Sequence, residues 1–145
     1  MAPSYNQIKA MANHSANIGI AVIRIGIGLM YGLHGLFKVL GGTQELEALG
    51  SSFAQLSGMP LNHQLMGWMA AGSQILSGLL LATGFKKVWG LLIGLPPLLI
   101  AAVILVREGE PFSHFSHPIE LSILFTGLLI YYRGVPGKQR ISFKS

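Results

Sequence analysis

Residues Arg24 to Gly42 read RIGIGLMYGLHGLFKVLGG, an apolar helix-length stretch that nevertheless holds an arginine, a histidine and a lysine and is rich in glycine. The fold turns on whether this stretch crosses a membrane or packs into a soluble core. Extended back to Ile18, it gives a run to Leu40 of about 34 Å as helix, enough to cross a hydrocarbon core of about 30 Å. Composition favours the membrane. Of 145 residues, 51% are hydrophobic and only 10% are charged, against about 25% charged in a typical soluble domain.

Further apolar blocks lie downstream. Residues 41 to 62, GGTQELEALGSSFAQLSGMPLN, are punctuated by Gly, Ser and Pro and read as a solvated connection with a short amphipathic helix around Glu45 to Leu56. Gln64 to Gly84 forms a second span and FKK a tight turn. Val88 to Val106 forms a third, with Pro96 and Pro97 near its middle expected to kink it unless neighbours satisfy the freed carbonyls. The last apolar run, Ile119 to Tyr132, is short for a span. It is either re-entrant or, with Phe115 to Pro118 as a capped first turn, a full crossing.

The expected fold is therefore all-α, a polytopic membrane four-helix bundle with spans at about 18–40, 64–84, 88–106 and 115–132. A polar N-terminal arm, residues 1–17, precedes it, and a basic tail, residues 134–145, follows. The arm reads as retained, because the apolar stretch after it is too long for a signal peptide and no small-residue cleavage site closes it.

Charge placement sets the expected orientation. Lys9, Lys86, Lys87, Arg133, Lys138, Arg140 and Lys144 fall in the arm, the FKK turn and the tail, whereas the other two connections hold Arg107 beside four glutamates. By the positive-inside rule both termini are cytoplasmic. Trp68 then sits near the outer interface and Trp89, Tyr131 and Tyr132 near the inner one, as aromatic belts require.

Other classes fall away on composition. There are 10 basic residues to 5 acids and the pI is about 9.8, but the basic residues are scattered between apolar blocks. That pattern fits anionic lipid and not nucleic acid. The absence of cysteine removes disulfides, thiolate metal sites and thiol relays, and with them the four-helix membrane thiol oxidases.

Within the first span, Arg24, Tyr31 and Lys38 fall within about 40° of one another on a helical wheel, with Gly28 and Gly35 on the same strip. Gly28 and Gly32 make a small-xxx-small pair that lets a partner backbone come close. Lys38, near a span end, either snorkels to the headgroups or joins a polar pocket. Arg24 lies about 9 Å inside the opposite end, where snorkelling is harder. His34 either bonds a neighbouring carbonyl or contributes to that pocket.

Gln74 stands on the Gly67, Ala71 and Gly78 face of the second span, at a depth from which it could bridge Arg24 and His34. It either makes one interhelical hydrogen bond or lines a pocket. Glu120, at the start of the fourth span, either answers the helix dipole or pairs with Lys38 or His34. His114 and His117 are spaced i, i+3, but neither helicity nor a further ligand is assured there, and no metal is assigned.

Arg24, His34, Gly35, Lys38, Gly41 and Gly42, in the order R-x9-H-G-x2-K-x2-G-G, together with LLLATGF closing the second span, the glutamate opening the last and RGVPGKQRIS after it, resemble the DoxX family of small bacterial membrane proteins. The resemblance runs from about Ile18 to Ser142. It implies a four-helix bundle in the bacterial cytoplasmic membrane, with members tied to quinone-linked respiratory or sulfur oxidation or to oxidative-stress complexes. One departure stands out: the family usually has a glutamate where AGSQILSG places Gln74, which removes an acid that could neutralise Arg24 or accept a proton.

Three functions compete. The first is a small accessory subunit of a redox-linked membrane system, more an accessory subunit than a stand-alone enzyme. In it Arg24, Tyr31, His34, Lys38, Gln74 and Glu120 bind a lipid-soluble molecule such as a quinone, and electrons come from a protein partner. The second is a non-catalytic membrane scaffold or assembly factor, whose polar strip fixes helix register. The third, a small-molecule transporter, lacks an acid deep in a span and an inverted repeat. Membrane lipid and a protein partner or second copy are the expected contacts.

Overall fold

The computed structural model describes the backbone of residues 5–57, 62–107, 109 and 111–134, and the side chains of residues 17–55, 62–107, 109, 111 and 117–133. The basic tail from residue 135, Glu108, Glu110 and the side chains of Lys9 and His114 lie outside the described residues.

Every described element is helical: α1 (Tyr5–Leu40), α2 (Thr43–Ser57), α3 (His63–Thr83), α4 (Lys87–Arg107) and α5 (Phe112–Gly134). Three stretches, Asn17–Leu40, His63–Thr83 and Lys87–Arg107, are long and apolar enough to cross a membrane. At 23 residues α5 has the length, but His117, Glu120, Ser122 and Thr126 make it more polar. The polar N-terminal arm, expected as a separate segment, continues α1 as helix from Tyr5.

The ends follow from local chemistry. The Asn62 side-chain oxygen accepts from the backbone N–H groups of Gln64 and Leu65, at 2.9 and 3.4 Å, and so caps α3. Gly84 closes α3 at φ 76, a left-handed conformation that glycine adopts without penalty. Gly42, at φ 89, separates α1 from α2 in the same way. The connection between the first two spans thus contains the amphipathic helix anticipated there. Leu46 and Ala54 form its buried side. Through Pro96 and Pro97, α4 runs unbroken.

Packing centres on α3, which lies against α1, α2 and α4, and α4 in turn lies against α5. The α1–α3 seam is built on glycine. A methyl on Gly28 would meet the Ala82 nitrogen at 2.6 Å and the Gly78 carbonyl at 2.8 Å, and one on Gly78 would meet Gly32 at 2.5 Å. In lipid no hydrophobic drive brings helices together, so such close backbone approach supplies the attraction.

Beside this seam, Ile27 and Tyr31 of α1 join Leu81, Leu91, Leu98, Phe125 and Leu128 in the buried core. Outside this core the helices present apolar surface: Val22, Phe37, Leu79, Val103 and Ile123 are all more than half exposed. That distribution suits hydrocarbon and not water.

Candidate functional site

The polar groups of the bundle lie on three levels, set by where each helix starts and stops. The middle level is sealed. Tyr31 is 1% exposed, and its hydroxyl donates to the Gly94 carbonyl on α4 at 2.9 Å. Its ring meets Phe125 of α5 edge-on, with centroids 5.2 Å apart. The Gln74 side chain lies beside the Tyr31 hydroxyl. Its Oε1 is buried with no hydrogen-bond partner among the described residues.

Ser77, one turn further along α3, donates to the Gly90 carbonyl at 2.7 Å. Two hydroxyls thus grip α4 one turn apart, just ahead of its proline pair. Sequence reading passed over Ser77, although it stands three residues after Gln74 on the small-residue face that α3 buries.

At the Gly84 end, Arg24 from α1 is half-buried, and its guanidinium lies directly against Gly84. Arg24 Nη1 is buried with no hydrogen-bond partner among the described residues. Tyr132 of α5 is within its electrostatic reach, and Lys87 Nζ stands 4.7 Å from the centre of the Tyr132 ring. Next to it, the Tyr131 hydroxyl reaches Asn17 Oδ1 at 3.5 Å.

Gln74 therefore does not bridge Arg24. Ten residues of α3, about 15 Å of helix rise, separate Gln74 from Gly84. Gln74 instead sits against Gly35.

At the opposite end, His34 is exposed on α1 and lies within electrostatic reach of Lys38 and of His117 at the start of α5. His117 Nδ1 is 3.8 Å from Glu120 Oε2, an exposed pair. The counter-charge acting on Lys38 is Glu45, in the first turn of α2. Glu120 thus faces His117, while Lys38 is answered by Glu45, at the start of the amphipathic helix expected from the sequence.

Of the six residues read from sequence, the structure brings Tyr31 together with Gln74, and His34 with Lys38. Glu120 joins the latter pair through His117. Arg24 stands apart at the far end. Among the described residues, no group of three or more His, Asp or Glu side chains could hold a metal ion.

A multi-pass helical protein with glycine-seamed spans and polar groups on the inner face of its first helix is the class this geometry defines. The DoxX family model matches residues 19–107, and the chain belongs to that family. The matched stretch holds Arg24, Tyr31, His34, Lys38 and Gln74, and ends before α5 and Glu120. No curated protein and no solved structure matches the chain.

Proposed function

We propose that the chain is a small accessory subunit of a redox-linked system in the bacterial cytoplasmic membrane, holding a quinone at the His34 end of α1. In this reading α5 is the fourth span of a four-helix domain covering residues 18–133, and both termini are cytoplasmic. The observation that carries the reading is that His34 on α1 lies within electrostatic reach of both Lys38 and His117, the latter 3.8 Å from Glu120 on α5, on an edge flanked by exposed Leu33 and Phe37.

A quinone ring is apolar with two carbonyl oxygens, so it needs lipid access and a few donors. Lys38 and the His34 imidazole supply donors to one oxygen and favour its negative charge on reduction. In the reverse direction the quinol gives up two protons and two electrons. His34 takes the two protons in turn, passing the first through the His117–Glu120 pair to water before it accepts the second, which leaves by the same route. The electrons leave to a redox centre on a partner protein, since the chain has no thiol to carry them. Tyr31 and Gln74 support α1 from behind, and Arg24 serves the other end.

The scaffold reading draws on a separate observation: the Tyr31–Gly94 and Ser77–Gly90 bonds are fully buried, which suits polar groups that fix helix register. The two are separated by purifying the chain from native membranes and analysing co-purifying proteins and lipid-soluble molecules by mass spectrometry, with an absorption spectrum on the same sample. Bound quinone and a redox partner support the subunit reading. A partner without quinone or chromophore sinks it and leaves the scaffold.

A further inference from the structure

We propose a second site, at the Gly84 end, that binds the phosphate of an anionic phospholipid headgroup. It is independent of the quinone reading. A cavity of about 370 Å³ lies there, lined by Gly84, Lys86, Lys87, Val88, Trp89 and Tyr132. It opens where α3 turns into α4, beside the last turns of α5.

Cations surround it. Lys86 and Lys87 are exposed at its mouth, and Arg24 backs its wall through contact with Gly84, with Nη1 lacking a partner among the described residues. The 21-residue helix α4 starts at Lys87, so the positive end of its dipole points at the same space. The described glutamates lie elsewhere: Glu45 and Glu47 at the start of α2, and Glu120 twelve residues, about 18 Å of rise, before Tyr132. Among the described residues no carboxylate answers the positive charge here.

The surroundings favour an anion that is also amphipathic. Phe85 and Trp89 are 63% and 60% exposed next to the cations, giving acyl chains an apolar surface while the phosphate meets the lysines. Basic pockets between membrane helices recognise lipid headgroups in this way, at about fivefold in affinity for each cation near the surface. Free phosphate shares the charge but not the tail.

Trp89 borders the cavity, and the chain has only one other tryptophan, Trp68. In a Trp68→Phe background, Trp89 fluorescence reports binding to the full chain in uncharged detergent. Short-chain phosphatidylglycerol, short-chain phosphatidylcholine and inorganic phosphate are titrated in turn.

A saturable change with phosphatidylglycerol alone, weakened about fivefold in Lys87→Gln, supports the lipid site. A saturable, Lys87-dependent response to inorganic phosphate as well supports the phosphate chemistry and shows that the headgroup anion suffices. A response to phosphatidylcholine equal to that with phosphatidylglycerol, no saturation with either anion, or an unchanged affinity in Lys87→Gln overturns the proposal. Lys87 is exposed, so Lys87→Gln is expected to melt as the parent does, which a thermal melt of the variant checks. Arg24→Gln, accepted only if its elution profile and melting match the parent, provides a second reading of the same loss.

Discussion

Replacing Gly78 by alanine is expected to push α1 and α3 apart. The new Cβ would stand 2.5 Å from both Cα and N of Gly32 and 2.6 Å from the Gly28 carbonyl oxygen. All three are backbone atoms, so no side-chain rotation relieves the clash. Reaching ordinary contact at about 3.6 Å requires the helices to separate by about 1 Å, which forfeits a quarter to a half of each dispersion contact along the seam. Overpacking of this kind costs about 1–3 kcal/mol.

Alanine also gains up to about 1 kcal/mol of helix propensity over glycine. The net loss is expected to be about 1–2 kcal/mol. Gly72, six residues earlier on the same helix, has nothing within 4 Å of its would-be Cβ. Gly72→Ala therefore takes the propensity gain without the clash and should be neutral or stabilising. Both variants are compared in mixed micelles by raising the fraction of denaturing detergent and following tryptophan fluorescence. Equal unfolding midpoints for the two would refute the close-approach account of the seam.

Tyr31→Phe removes the hydroxyl that joins α1 to the Gly94 carbonyl, and in the same assay should cost about 1 kcal/mol, the scale of a buried interhelical hydrogen bond in lipid. Gly84→Ala asks a side chain to hold φ 76 and drives a methyl into Arg24. It should lose about 1–2 kcal/mol from the left-handed backbone alone, and a melting temperature equal to the parent's would contradict this. Glu120→Gln disturbs only an exposed pair and should change stability by no more than about 0.5 kcal/mol. The same variant should slow quinol oxidation by the assembled complex, an effect absent if Glu120 takes no part in proton exit.

Much of the fold was legible because lipid imposes strong constraints on sequence. Apolar length alone marks α1, α3 and α4, and the amphipathic residues between Glu45 and Leu56 mark most of α2. The Gly28–Gly32 pair announces a close seam, and the structure supplies its partner, Gly78. The helical arm from Tyr5 was not legible, since a polar run continuing an apolar helix has neither a cap nor a stripe to signal it.

At the candidate site, the pairing of His34 with Lys38 follows from spacing on a single helix. The neighbours of Arg24 do not, because they depend on the FKK turn delivering Gly84 and Lys87 and on α5 delivering Tyr132. Glu45 beside Lys38 likewise required α2 to turn back after Gly42 at its positive φ. Sequence places Gln74 at a depth between those of Arg24 and His34, yet the Gly35–Gln74 and Arg24–Gly84 contacts fix the helix register that separates Gln74 from Arg24.

The central claim, a quinone held at the His34 end, is tested most directly by the molar ratio of quinone to protein in lipid extracts. The chain and its His34→Leu variant would be purified from the same native membranes under identical conditions. The account expects a ratio near one for the native chain, falling several-fold in a variant whose melting is unchanged. The same ratio in both, or no quinone in either, would contradict it.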